Sequence, residues 1–443
     1  MVIASIDIQN GKVVQLKQGE ELVLQRENHL ELAEEFDRYG EIAVIDLDAA
    51  MGKGSNLEMI KPLLRKAECR VGGGIKTPQQ AQELVSLGAQ KIIVGSCAFR
   101  DSAKKGAGVA GGEFAVNIPF LETMSKKIGR QRLIVAVDAR AGEIVVDGWK
   151  TPTGLNLIES AKLVEPFAGE LLFTCVEREG TMTGIDLAPV RKLREAVSCQ
   201  ITVAGGVSTL AEVEEIAAIG CDVQLGMALY TGKINLSDAF TVSLNWKKGE
   251  IQFPTSDSPS PTPDSLLPII VQASDGQVLM TGFTDKEALA ETFKRGNVCF
   301  HSRTRNKLWM KGENSGNVLK LIRLRTDCDH DAILAIAEPE GSVCHTGAWS
   351  CFTNNRGYTL QFLQNIIRER FRNPTPGSYT ATLDDDLVRE KILEEAKELC
   401  EAKAHEEIVW EAADLLYFTT VLMTKAGVSI QEILDELDRR HKK

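Results

Sequence analysis

Three cysteines, Cys328, Cys344 and Cys351, stand in a C-x15-C-x6-C pattern with no fourth cysteine at matching spacing. Structural zinc usually takes four protein ligands, whereas catalytic zinc takes three and leaves one position for water. Three thiolates with an open position therefore predict a hydrolytic zinc centre whose water has its pKa lowered to roughly 7. His345, next to the middle thiolate, is placed either to move protons or simply to lie at the surface. Around the first cysteine, TDCDHD puts Asp327, Asp329 and Asp331 on alternate positions of what reads as a strand. An extended backbone would set them on one face roughly 6.5 Å apart, with Cys328 and His330 on the other. Carboxylates that close repel each other unless water or a cation neutralises the face, which makes it an oxygen-rich site suited to Mg2+. Upstream, HSRTRNKLWMKGENSGN offers Arg303, Arg305 and Lys311 to phosphates and Trp309 for stacking on a base.

A second set of acids lies near the C-terminus. Val388, Ile392, Leu399 and Ala402 trace an apolar stripe whose missing position is Glu395, so that carboxylate faces the core. In HEEIVWEAADLLYFTTVLM, Glu411 and Asp414 interrupt a helix that is apolar nearly all round. With Glu394 and Glu398 these residues give E-x-x-E followed by E-x-x-D, side chains aimed at one place. Buried and unpaired they would cost several kcal/mol, which a bound cation would remove.

The N-terminal part repeats itself. SIDIQNG at 5–11 matches AVDARAG at 136–142, VGGGIKT at 71–77 matches VAGGVST at 203–209, and VGS at 94–96 matches LGM at 225–227, all at offsets of 131 or 132. A fourth pair sets Asp46 against Glu177 and Asp48 against Glu179. Gly73 and Gly74 with Gly95 and Ser96 in one half, and Gly205 and Gly206 with Gly226 in the other, predict two facing phosphate sites built from backbone amides. Asp7, Asp138 and Glu179 would converge between them, which suits proton transfer on a doubly phosphorylated substrate.

These groups need three kinds of scaffold. Alternating short apolar strands and helices in two equal halves point to an eight-stranded parallel (β/α)8 TIM barrel with its site at the strand ends, a doubly wound open sheet being the weaker alternative. PTSDSPSPTPDSLLP then has the composition of an extended linker. Strand-like alternation resumes to about residue 353 and gives way to helical periodicity. The domains are therefore a barrel over 1–250, a linker over 251–267, a small β-rich α+β zinc domain over 268–355 and an all-α domain over 356–443.

The net charge of -11 argues against nucleic acid or an anionic membrane as the main partner. MVIASIDIQN lacks a basic start before an apolar run, and no apolar run of spanning length occurs, so the chain reads as cytoplasmic. The other seven cysteines are scattered singly, as reduced core cysteines are.

On its quoted motifs plus GWKTPTG at 148–154, the barrel resembles the ProFAR isomerases of histidine biosynthesis. The resemblance implies an aminoaldose to aminoketose rearrangement without metal or cofactor, with acid–base roles for Asp7 and Glu179 and a substrate-facing place for Trp149. Three departures accompany it: Glu179 stands where aspartate is usual, Met227 where arginine is usual, and SAKKGAGVAGGEF at 102–114 is unfamiliar. TDCDHD, CHTGAWSC and VLMTGFTDKEAL make the middle segment similar to phosphoribosyl-AMP cyclohydrolases. That implies zinc-activated opening of the adenine six-membered ring, Mg2+ on the aspartates, and zinc ligands drawn from two subunits of a homodimer. KILEEAKEL and EAADLLYF make the tail resemble phosphoribosyl-ATP pyrophosphohydrolases, with Mg2+ held by the acids and pyrophosphate released. Together the resemblances imply a trifunctional enzyme taking phosphoribosyl-ATP to phosphoribosyl-AMP, ProFAR and then PRFAR, a homodimer through its two C-terminal domains. The alternative is a bifunctional enzyme with a scaffolding barrel.

Overall fold

The computed structural model describes residues 1–100, 114–247, 266–354, 357–374 and 377–441. The linker expected over 251–267 lies outside the described residues except for its end, where Leu267 already begins a strand. The glycine-rich segment at 102–114 lies outside them except for Phe114.

Eight parallel strands, Val2–Gln9, Ile42–Asp46, Cys69–Gly72, Lys91–Val94, Leu133–Ala136, Glu170–Thr174, Gln200–Ala204 and Asp222–Leu225, pair in chain order and close when the last pairs with the first. These strands are buried on both faces, as a sheet wrapped by helices requires. One antiparallel hairpin, Lys12–Lys17 with Glu21–Arg26, extends from the first strand. Inside the barrel, Ile93, Ile134, Ala136, Leu172 and Ala204 form an apolar layer below the strand ends. Beneath it, Arg70 is wholly buried between Glu41 and Glu170, and Lys91 reaches the same two acids at 3.1 Å each. A buried guanidinium is tolerable only when paired in this way.

The duplication is structural as well as textual. Gly73 and Gly205 adopt φ of 100° and 94°, and a Cβ on either would meet the backbone oxygen of Asp46 or Cys175 at 2.2 or 2.6 Å. Thr77 and Thr209 each cap the following helix through a capping box. Gly95 and Gly226 share one unusual backbone conformation before the next short helix.

The middle domain has a four-stranded sheet in the order Val278–Thr284, Leu267–Gln272, Ile333–Pro339, Leu319–Thr326, with helix Lys286–Arg295 and the hairpin Cys299–Ser302/Lys307–Met310. Its core includes Phe240, Leu244 and Trp246 from the end of the barrel. One expectation is corrected here: TDCDHD is not a strand. Thr326 pairs with Ile333 at the end of an antiparallel ladder, so residues 327–332 form the connecting turn, with φ of 60° at His330. The alternation of aspartates is that of a turn's polar residues, and it has no partner strand.

Among the described residues the tail consists of five helices: Leu360–Arg372, Tyr379–Thr382, Asp385–Glu401, His405–Lys425 and Ile430–His441. Their shared core is small, centred on Leu363, Ile367, Leu383, Val388, Phe418 and Val421. Ala402, expected to close the apolar stripe of the Asp385–Glu401 helix, is instead that helix's C-cap.

Candidate active sites

A cavity of about 1090 Å³ opens at the C-terminal ends of the barrel strands, and Asp7, Asp138, Glu179, Trp149, Ser96 and the paired glycines line it, whereas Asp46, Asp48 and Glu177 do not. Asp7, in the first strand, and Asp138, two residues past the end of the fifth, face Glu179 from the loop after the sixth strand. Ser5 donates to Asp7 at 2.6 Å, yet burial still pushes the Asp7 carboxyl up to about 6. Burial likewise raises Asp138, against the pull of hydrogen bonds from Thr174 and Trp149. Glu179 goes up to about 7, first through burial and then through the charges of Asp7 and Asp138. Groups that titrate this close to neutrality, facing one another, can both give and take protons.

The loops that hold these acids are specific. Gln18 donates its backbone N–H to the Glu179 carbonyl at 3.1 Å, and Gly180 packs against Leu16, so the hairpin after the first strand fixes the Glu179 loop. The fourth repeat pair diverges in use: Asp48 accepts from the backbone of Asn10 at 2.6 Å, but the matching Ala141 N–H bonds Glu177 at 3.2 Å. Glu177 has taken over the turn, which leaves Glu179 to the cavity.

In the middle domain, Cys344 and Cys351 lie together, and Lys311 lies beside both thiols. The Thr346 hydroxyl, donating to Cys344 Sγ at 3.2 Å, pulls that thiol's pKa down, whereas burial pushes Cys351 up. His345 is exposed, with Nδ1 at 3.8 Å from Cys344 Sγ. Cys328 stands apart from this pair, on the turn at the barrel floor. Asp327, Asp329 and Asp331 converge with ligand oxygens within 4.8 Å of one another. Arg303 and Arg305 sit on the exposed tip of the Cys299–Ser302/Lys307–Met310 hairpin, Arg303 stacking over Phe283. Trp309 packs one face on Phe300 at 5.5 Å between centroids.

In the tail, Glu395, Glu411 and Asp414 place carboxylate oxygens within 4.8 Å of one another, and Glu395 is only 7% exposed. Burial raises the Glu395 carboxyl, with Asp414 and Glu398 adding to it; burial and then Glu398 and Glu395 raise Glu411. Glu394 points elsewhere and pairs with Lys391 at 2.6 Å.

Residues 1–235 match the family described as "Histidine biosynthesis protein", more than half of the chain. The chain belongs to this family. Residues 280–353 match "Phosphoribosyl-AMP cyclohydrolase" and 360–441 match "Phosphoribosyl-ATP pyrophosphohydrolase". A bis-phosphoribosyl imidazole-4-carboxamide isomerase of Methanosphaera stadtmanae is 34% identical over 54% of this chain and 98% of its own length. The histidine biosynthesis bifunctional proteins HisIE of Pyrococcus furiosus and Campylobacter jejuni are 40% and 42% identical, each over 40% of this chain and 93% and 92% of their own.

Within the isomerase-like barrel, sequence reasoning missed Ser5 and Thr174, whose only textual signal is a hydroxyl in an otherwise largely apolar strand. Within the cyclohydrolase region it missed Asp285, which caps helix Lys286–Arg295 through Oδ1 and bonds His301 Nδ1 through Oδ2 at 2.6 Å. Among the described residues, no helix is long and apolar enough to cross a membrane.

Proposed function

We propose that this chain is a trifunctional histidine-biosynthesis enzyme whose three sites act in order from its C-terminus to its N-terminus. The observation that carries the isomerase step is the single cavity uniting two matched glycine turns with Asp7, Asp138 and Glu179. In the aminoaldose, protonation of the ribose ring oxygen by Glu179 opens the ring to an imine. Asp7 takes the proton from the adjacent carbon, and the resulting enolamine tautomerises to the aminoketose with no atom lost. The higher pKa of Glu179 and the lower one of Asp7 favour that division of labour.

Cys344, Cys351 and Cys328 fit zinc by donor chemistry, a soft thiolate set with one thiol already lowered. When bound, zinc would supply a water acidic enough to hydrolyse the adenine ring of phosphoribosyl-AMP. Since Cys328 stands apart from the other two, the full set is drawn from two copies of the chain. Lys311 favours the thiolates, His345 is free to serve as the proton shuttle, and Arg303 and Arg305 hold phosphate.

Asp327, Asp329 and Asp331 suit one Mg2+, and Glu395, Glu398, Glu411 and Asp414 another, because each set is all oxygen and mutually repulsive. In the tail, water attacks the phosphate chain of phosphoribosyl-ATP and releases pyrophosphate. On the two long tail helices, Leu393 and Trp410 are 73% and 70% exposed, and Val409 and Leu416 are exposed as well. Exposed large apolar side chains on so small a core support a homodimer through the C-terminal domains. The chemistry belongs to the cytoplasm.

The test is product analysis from phosphoribosyl-ATP with the purified chain. PRFAR and pyrophosphate are expected; an accumulation of ProFAR would instead make the enzyme bifunctional with a scaffolding barrel.

A further inference from the structure

We infer that the floor of the barrel is a working part of the ring-opening site. Asp222, Asn245, Asp37 and Glu68 act as positioning residues for the turn that presents Cys328. The inference rests on reading Cys328 as a zinc ligand.

The strand leading into the turn runs along the N-terminal rim of the barrel. Leu324 donates its backbone N–H to the Arg38 carbonyl at 2.7 Å. Arg325 reaches Asp37 Oδ1 at 2.7 Å and Glu68 Oε2 at 2.9 Å, and Arg323 adds a contact to Asp37 Oδ2 at 3.0 Å. At the apex, the Asn245 backbone N–H donates to the His330 carbonyl at 2.8 Å, and its side-chain amide lies 3.5 Å from the Asp329 carbonyl. The His330 ring is held on both sides, by Thr326 Oγ1 at 2.8 Å on Nδ1 and, on Nε2, by the Met1 amino group at 2.9 Å and Asp222 Oδ1 at 3.3 Å, with Met1 and Asp222 themselves paired. Barrel atoms therefore grip both the entry and the apex of a turn whose φ of 60° at His330 is uncommon for a residue with a side chain. Between these grips, Cys328 and Asp327 line a cavity of about 310 Å³ shared with Lys91, Gln131, Gln200 and Asp222.

A ligand already held in place loses less freedom when metal binds, and removing an outer partner of a metal site typically costs 10–100-fold in affinity. The location separates this role from the barrel's own chemistry. Asp222 begins the last strand, whereas the isomerase cavity lies past the other end of that strand, at Gly226.

The experiment uses the full chain and two variants. Asp222→Asn removes, with little change of shape, the charge that faces His330 and the Met1 amino group, and Glu68→Ala removes a partly exposed partner of Arg325. Competition with a chelator should show zinc affinity down about tenfold or more in Asp222→Asn, and down less in Glu68→Ala. The kcat of ring opening should fall more than KM for phosphoribosyl-AMP changes, while ProFAR isomerisation by the same chains stays at the parent level and reports an intact barrel. Parent zinc affinity in both variants, in a chain whose Cys344→Ser form loses its zinc, overturns the inference. Zinc retained by Cys344→Ser overturns the metal assignment, and this inference with it.

Discussion

The indole Nε1 of Trp149 donates to Oδ2 of Asp138 at 2.9 Å, from a backbone with φ of 68° at Trp149. The Thr174 hydroxyl adds a second bond to the same carboxyl. Both favour the ionised form and oppose the burial that raises this carboxyl. An anion there helps keep a proton on Glu179, which is what a general acid needs.

The pH dependence of isomerisation follows. With Asp7 as base, pushed up to about 6, and Glu179 as acid, up to about 7, kcat/KM for ProFAR should rise through the first value and fall through the second. Asp138→Asn removes a negative neighbour, which stabilises the Glu179 carboxylate and lowers its pKa. The alkaline limb should then move to lower pH. An unmoved limb would show that Asp138 does not tune the acid.

The zinc assignment has a direct check. Metal analysis of Cys344→Ser should find zinc lost together with ring opening of phosphoribosyl-AMP, while pyrophosphate release from phosphoribosyl-ATP continues. Full zinc and full activity in that variant would end the assignment.

The barrel was legible because its information is written twice. A glycine at 73 or 205 alone could be any turn, but the same glycine, threonine and strand-end pattern in both halves leaves little choice of fold. Glu395 was legible for another reason: it breaks an apolar stripe, and the break is buried. What the sequence hid was whatever depends on distant partners. Alternating aspartates at 327–331 carry no sign that their segment lacks a neighbouring strand. Cysteine spacing gives no hint that Cys328 sits at the barrel floor, away from Cys344 and Cys351. Arg325 meets Asp37 and Glu68 across most of the chain, and no local pattern announces such a pair.

The tail's acids should act independently of zinc. Glu395→Gln or Asp414→Asn removes one charge from the group that gathers around Glu395, and Mg2+ affinity falls with it. Pyrophosphate release from phosphoribosyl-ATP should be abolished, while supplied phosphoribosyl-AMP is still opened. Normal pyrophosphate release in both variants would remove these acids from the mechanism.

The decisive variant for the barrel is Asp7→Asn. Asp7 lies at the foot of the cavity, held by Ser5, and its raised pKa makes it a competent base near neutrality. Asparagine keeps the shape and the hydrogen bond but cannot take a proton. Isomerisation should therefore drop by at least about a hundredfold, the low end for a lost general acid or base, with ProFAR affinity little changed. Glu179→Asp tests the other partner: the carboxyl is kept and its reach shortened by one methylene, so retained turnover supports the acid role. If the parent chain binds ProFAR but forms no PRFAR, neither variant can change the outcome, and the barrel serves as a scaffold for the two C-terminal activities.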